Sequence, residues 1–333
     1  MEVNKNDSFV IFRLPNSKEI FQVVGNAISL DLNLPIPTNV FLMAPFNGET
    51  HSYGIPFAEQ KLFDGIFPEP NNFLENTFEN KGKEHYETIV QMALRQMNEN
   101  AFKKVVLANS KTIKKNHLSI EQVFNSIEKA YPLAFVYYLS SPQTGTWIGA
   151  SPEPLLVGSN QNFTTVAMAG TIRNDQESSW TEKEKIEQNW VELYLESLLQ
   201  KYHLPFQKTL PFTYISGKLS HIRTEFSFSC SDQSKLSEFL VEINPTPAVG
   251  GLPKKESLTF INDKENLERT FYAGFLGLYT NSNIQLFVNL RCLTIQEESL
   301  TLFAGAGITL GSDPEKEWYE TQNKMNALEQ FLS

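Results

Sequence analysis

AGFLGLYTNSNIQLFVNLRCLTIQEESLTLFAGAGITLGSDPEKEWYE, residues 273–320, decides the fold class. Three apolar runs, AGFLGLY (273–279), IQLFVNLRCLTI (284–295) and SLTLFAGAGI (299–308), read as successive strands separated by short polar turns. The last run feeds Ser312-Asp313-Pro314, an N-cap signal with proline at the first helical turn, so a final helix carrying Trp318, Met325, Leu328 and Phe331 is expected.

Upstream, KVVLA (104–108) reads as a buried strand, AFVYYLS (134–140) as another, and TWIGASPEPLLVG (146–158) as a strand pair with a turn. The segment 83–100 has Ile89, Val90, Ala93, Leu94 and Met97 at helical spacing. Ser119 with Gln122, and Thr181 with Glu184, are capping boxes that open two more helices. The second runs to about Tyr202, with Ile186, Trp190, Leu193 and Leu198 predicted to face inward. FVIFRL, EIFQVVG and NVFLMAP, in the first 80 residues, are short strands broken by Pro, Gly and Asn. Strand runs mixed with a few long helices, without regular βαβ alternation, indicate an α+β protein with antiparallel sheet. FAGAG does not fit G-x-G-x-x-G and no G-K-[ST] loop occurs, which weighs against a doubly wound nucleotide fold.

The 333 residues carry 28 basic and 38 acidic side chains, a formal charge of −10. This disfavours nucleic acid and anionic membranes as partners, because both need a cationic surface. It leaves an anionic small molecule open, since a few cations set the field of a cleft. Cys230 and Cys292 show no zinc or disulfide spacing, so a reducing cytoplasm is expected. The N-terminal MEVNKNDSFVIFRLPNSKEI has neither a basic start nor an unbroken apolar run, so no signal peptide is expected.

Glu184 with Glu187, and Glu317 with Glu320, lie three apart on their helices, where both carboxylates of a pair can bind a hard cation through oxygen. A solvated charged face reads equally from that spacing, which recurs at Glu84/Glu87 and Glu265/Glu268. Lys104 stands at the mouth of a buried strand, where a desolvated lysine can serve as a base or a strand-end charge can reach water. Glu153 is held between two prolines. FAGAG and MAGT provide small residues where backbone N–H groups can approach an anion. Arg291, inside an apolar run, needs an anionic partner, and a carboxylate suits it. His221 alone reads as a structural histidine.

KVVLA, GASPE, AGT, T-E-K-E-x-x-E, NPTPAVGG, ERTFYAG, LRC, LFAGAGI and GSDPEKEWYET-x-x-K occur in an order that resembles the chorismate-utilising enzymes. The match runs over about residues 83–330; residues 1–82 carry no motif and would be the N-terminal part of one chorismate-binding domain spanning 1–333. The resemblance implies a single α+β domain of two large stacked antiparallel sheets flanked by helices. It makes Lys104 the general base and Glu153 the general acid. It makes Glu187 and Glu320 ligands of Mg²⁺, with Glu184 and Glu317 as nearby carboxylates. It places Gly170, Thr171, His221, Ala248, Tyr272, Arg291, Gly305, Gly307 and Lys324 around the substrate. Two positions depart from the pattern: Gln188 follows Glu187 where histidine is usual, and Asn244 replaces the histidine before Pro-Thr-Pro-Ala.

Family members attack ring carbon 2 of chorismate and expel the hydroxyl from carbon 4. Lysine in KVVLA resembles the water-using members, whereas ammonia-using ones have glutamine there. Ala169 stands where aminodeoxychorismate synthases carry a nucleophilic lysine, and Ala248 where salicylate synthases carry threonine. The resemblance therefore implies an isochorismate synthase serving menaquinone or siderophore synthesis. Salicylate synthase is the alternative. A monomer without a glutaminase subunit is expected.

Overall fold

The computed structural model describes residues 7–47, 51–70, 72–73, 78, 80–115, 118–173, 180–217 and 219–332; the first six residues of the N-terminal reading lie outside it. Two antiparallel sheets dominate. In spatial order, the first joins Gly251–Leu252, Lys104–Lys114, Ser299–Ile308, Cys292–Ile295, Gly145–Ser151, Phe135–Ser141, Ser8–Arg13, Phe21–Gly25 and Lys61–Leu62. The second joins Phe206–Lys208, Leu219–Ser229, Asn162–Arg173, Pro154–Ser159, Asn283–Val288, Phe275–Tyr279, Val40–Ala44, Ser52–Pro56 and Ile28–Leu30, with Phe212–Ser216 added beside Leu219–Ser229. The motif-poor N-terminal strands thus complete both sheets.

These strands read as unbroken apolar runs because both of their faces are covered. Along Ser8–Arg13, Val10 and Phe12 join the large core cluster, while Phe9 and Ile11 join the second cluster on the opposite face. That alternation follows from the two-residue repeat of a strand. Aromatic rings fill the space between the sheets: Phe135 stacks on Phe287 with centroids 4.7 Å apart, and Phe12 and Phe41 flank them. Such pairs add roughly 0.5–1.5 kcal/mol each beyond their buried area.

Two predicted strand runs are each divided between the sheets. IQLFVNLRCLTI is not one strand: Asn283–Val288 lies in the second sheet and Cys292–Ile295 in the first. The break falls at Asn289, whose side chain donates to Phe271 O and accepts from the Tyr137 hydroxyl, and at Arg291, which adopts φ +48°. TWIGASPEPLLVG is likewise not a hairpin but a crossover from Gly145–Ser151 to Pro154–Ser159 through Pro152 and Glu153. Both sides of the crossing are paired, Gly145–Ser151 with Cys292–Ile295 and Pro154–Ser159 with Asn283–Val288, so a two-stranded ribbon passes between the sheets.

Six helices are formed among the described residues: α1 (Gly82–Asn98), α2 (Ile120–Ala130), α3 (Glu182–Lys201), α4 (Gln233–Ile243), α5 (Lys254–Lys264) and α6 (Pro314–Glu329). None is long and apolar enough to cross a membrane. Asp313 caps α6 by accepting from Lys316 N at 3.0 Å. Ser119 caps α2, and Glu184 accepts from Thr181 N at 3.0 Å at the head of α3. The inward face of α3 differs from the sequence expectation. Ile186 and Leu193 are exposed and Trp190 is half-buried under the Lys103 ammonium, whereas Glu187, Gln188, Val191, Leu195, Leu198 and Leu199 are buried. Two polar residues occupy the buried stripe, which rotates the true apolar face away from the one that apolar spacing suggests.

Glu265 also departs from the solvated-face reading. It is 3% exposed and takes a bidentate pair from Arg269, at 2.7 and 2.6 Å. Arg269 further donates to Val106 O and Val249 O, and Glu265 accepts from Ala108 N. This clamp ties the KVVLA strand to the NPTPAVGG loop. Removing one member of a buried ion pair leaves the other uncompensated. Arg269→Met is expected to destabilise the fold by about 3–5 kcal/mol, and Glu265→Gln added to it to recover part of that loss, both read from urea unfolding midpoints.

Candidate active site

At the ribbon crossing a cleft opens between the sheets. Glu153, Gly170, Thr171, Glu187, His221, Ala248, Tyr272, Arg291, Gly305, Gly307 and Lys324 line it, along with Met168, Leu219 and Phe303. Crossover geometry explains two of these positions: Glu153 and Arg291 lie between strands where the chain leaves one sheet for the other, and each is held there by a backbone bond at its carbonyl, Glu153 O accepting from Val288 N at 2.9 Å and Arg291 O from Ala150 N at 3.0 Å.

Glu153 is 3% exposed. Burial pushes its carboxyl up to about 8, against the opposing pull of Lys104, Arg223 and Lys324. It is therefore protonated at neutrality and can give up a proton.

Arg291 and His221 form the opposite, anion-seeking side. Arg291 donates to Ser216 Oγ at 2.6 Å and Ser216 O at 3.1 Å, and through Nη2 to His221 Nε2 at 3.0 Å. A guanidinium only donates, so His221 Nε2 is the acceptor and the ring proton sits on Nδ1, where Gly170 O accepts it at 3.0 Å. Burial, then the nearby Arg291 and Lys324, push His221 down to about 3, which keeps it neutral. Among the described residues no carboxylate pairs with Arg291. The anion that this guanidinium calls for is not supplied by those residues.

Three of the four candidate metal carboxylates are each matched to a lysine. Glu187 Oε1 lies 3.1 Å from Lys104 Nζ, Glu317 Oε1 accepts from Lys183 Nζ, and Glu320 Oε1 accepts from Lys324 Nζ at 2.8 Å. Burial raises the Glu187 carboxyl, but Lys104, Lys183 and Lys324 outweigh it and leave Glu187 below the ordinary range. Burial and the adjacent Glu320 push Glu317 up to about 7, against Lys183. Glycine makes room for this arrangement. A Cβ on Gly307 would stand 2.1 Å from Glu187 Oε1, and one on Gly305 3.2 Å from the Tyr272 hydroxyl.

Not all expected residues reach the cleft. Lys104 is fully buried behind Glu187 and does not line it. Glu184 uses its carboxylate to cap α3. Glu317 and Glu320 flank the cleft from α6. Among the described residues no three acidic, histidine or cysteine groups are gathered into a ready cage for a metal. The donor chemistry nevertheless suits a hard divalent cation: Glu187, Glu317 and Glu320 offer only oxygens, and Glu317 Oε2 is buried with no hydrogen-bond partner. Lysines stand where a cation would otherwise balance these groups.

Gln188 ties α3 to the sheet below, donating to Ala167 O at 3.0 Å and Thr224 Oγ1 at 3.3 Å, which fixes the backbone beside Glu187. Asn244 anchors the NPTPAVGG loop, donating to Pro45 O and accepting from Lys254 Nζ at its carbonyl. Sequence reasoning missed Lys183 and Ser216. Lys183 lies four residues before Glu187, a spacing indistinguishable from an exposed helical ion pair, and nothing in the sequence connects Ser216 to Arg291.

A family model described as chorismate binding enzyme matches residues 59–333. The chain is 28% identical over 259 residues to the isochorismate synthase MenF of Pasteurella multocida (strain Pm70), covering 73% of this chain and 60% of that protein. It is 28% identical over 212 residues to the isochorismate synthase EntC of Escherichia coli (strain K12), covering 59% and 54%. It therefore spans less than two thirds of the length of these relatives. The solved structure of MenF, the menaquinone-specific isochorismate synthase of Escherichia coli, superposes with a TM-score of 0.82 at 22% identity, over 99% of this chain and 90% of that one, a shared fold. With most of its length matched, and with motifs and architecture in agreement, this chain belongs to the chorismate-binding enzyme family.

Proposed function

We propose that the chain is an isochorismate synthase that adds water at ring carbon 2 of chorismate and expels the hydroxyl from carbon 4, with Mg²⁺ as cofactor. The observation that carries this reading is a carboxyl held protonated in the wall of the cleft, with the buried ammonium of Lys104 behind Glu187 close enough to act on both carboxyls. Water is a poor nucleophile and needs a base; hydroxide is a poor leaving group and needs an acid. Glu153 supplies the proton to the departing hydroxyl, and Lys104, acting as the free amine after its ammonium has given a proton up to solvent, takes one from the attacking water. Arg291, oriented by Ser216 and His221, binds a substrate carboxylate in bidentate fashion. Lys324 and the backbone at Gly170 and Thr171 complete the anionic contacts, and Tyr272, Phe303 and Ala248 exclude water from the ring.

Glu187, Glu317 and Glu320 would hold the Mg²⁺, which supplies Lewis-acid stabilisation of charge on the ring carboxylate. Lysine at 104, alanine at 169 and alanine at 248 all favour hydration without amination or pyruvate loss. The isochorismate synthases among the similar proteins support the same product.

Chorismate with Mg²⁺ is expected to yield isochorismate on chromatography, with EDTA stopping turnover and added Mg²⁺ restoring it. Salicylate would shift the reading to a salicylate synthase, and a need for ammonium to an aminating enzyme. Lys104→Ala and Glu153→Gln are each expected to lower kcat by at least about 10²-fold, with far-UV circular dichroism unchanged; a loss below about tenfold in either removes its acid–base role. Because Glu153 acts in its protonated form, and burial places it at about 8, kcat should fall as pH rises through that value. The residual activity of Glu153→Gln should lack this limb.

A further inference from the structure

Three lysines neutralise the carboxylates between α3 and α6, but they are held differently. Lys104 is fully buried, and Lys324 has a second bond, donating to Gly305 O at 2.8 Å. Lys183 sits one turn before Glu187 on α3 and reaches across to Glu317 on α6. Its charge is felt by Glu317, Glu320 and Glu187 together. Its side chain is 23% exposed, whereas that of Glu317 is 3% exposed. This ammonium therefore lies among the oxygen donors and has a path to water along its own flexible stem.

We infer that Lys183 is a built-in counter-cation that occupies the α3–α6 carboxylate cluster in the metal-free protein and withdraws when a divalent cation binds, thereby setting the affinity for that cation. The inference rests on the reading of Glu187, Glu317 and Glu320 as metal ligands. Burying carboxylates side by side is unfavourable unless a positive charge opposes them. With Lys183 in place, the empty cluster is stable and its geometry is kept. A divalent ion cannot enter beside that ammonium without repulsion, so binding carries the cost of moving it. Of the three lysines, only Lys183 combines contact with the cluster, an opening to solvent and no second hydrogen bond among the described residues. Its departure would also free Glu317 Oε1, which sits beside the unpartnered Oε2 of the same carboxyl.

The test measures Mn²⁺ binding directly, through the electron paramagnetic resonance signal of free Mn²⁺ at pH 8.5, on the full chain without substrate. Lys183→Met is expected to bind Mn²⁺ at least about tenfold more tightly than the unsubstituted protein, within the usual range of such couplings. In EDTA the same variant should melt at a lower temperature, and saturating Mn²⁺ should close that gap. Lys183→Arg, which keeps the charge, should bind close to the original affinity. Unchanged or weaker Mn²⁺ binding by Lys183→Met, with Glu320→Gln abolishing binding, would overturn the counter-cation role and leave the ligand assignment intact. Absence of Mn²⁺ binding in both the unsubstituted protein and Lys183→Met would overturn the ligand assignment itself, and this inference with it.

Discussion

A charge removed from water must be opposed, and the organisation of this site follows from that requirement. Glu265 is closed by Arg269, Glu187 by Lys104, Glu317 by Lys183 and Glu320 by Lys324. Two of these pairs join elements distant in sequence, Glu320–Lys324 links successive turns of α6, and Glu265–Arg269 closes the segment that follows α5, so electrostatic closure also sets the geometry. The Glu265–Arg269 clamp orients the strand that carries Lys104, and Lys104 in turn fixes Glu187 against the bare backbone of Gly307. A side chain at position 307 would drive the Glu187 carboxylate away, which is why a strand that otherwise packs tightly contains glycine here.

The sheets supply what ion pairs alone cannot: positions outside the regular strand repeat. A residue within a strand directs its side chain according to the two-residue repeat. At the ribbon crossing that repeat is broken, although the carbonyls of Glu153 and Arg291 still accept from Val288 N and Ala150 N. Glu153, between two prolines, and Arg291, at φ +48°, are held by local backbone geometry and line the cleft. On the proposed reading, anion recognition and proton donation come from the same topological feature, the passage of two paired strands from one layer to the next.

Local signals along the chain were enough to read the class of fold and most of its elements. The N-caps at Ser119, Thr181 and Asp313 are short-range chemistry and appear where their residues stand. The strand runs were visible too, because doubly covered strands are apolar throughout. Where the readings missed, a non-local demand had overridden the local pattern. Ile186 and Leu193 suggest one face of α3, yet the site requires Glu187 to point inward, and the helix is rotated accordingly. IQLFVNLRCLTI looks like one strand because its apolar character continues through the crossing; only the partners of Asn289 mark the break. Glutamate triplet spacing could not separate Glu265, which is buried, from Glu84, which is exposed, since the distinction lies in Arg269 and the sheet beneath it. The likeness of the ordered motifs to a family pointed to residues that line one cleft, whereas ionic partners such as Lys183 of Glu317 are visible only in three dimensions.

Charge in the cleft also runs against charge on the whole chain. The protein carries a formal −10, yet around the cleft Glu187, Glu317 and Glu320 face Lys104, Lys183, Lys324 and Arg291, while Glu153 is held neutral by burial. Positive charge is therefore in excess around the cleft, and Arg291 carries it without a carboxylate among the described residues, its hydrogen-bond partners being a hydroxyl, a carbonyl and a neutral imidazole. Neutral histidine is essential to this arrangement: a charged ring would repel the guanidinium, whereas the Nδ1–H tautomer accepts from it and leaves its charge uncancelled. An anion entering the cleft therefore meets a surplus cation in a water-poor space, where the attraction is far stronger than at the surface. An acidic protein can in this way draw in an acidic small molecule, because the field that matters is set by groups within a few ångströms and the remaining surface charge is screened.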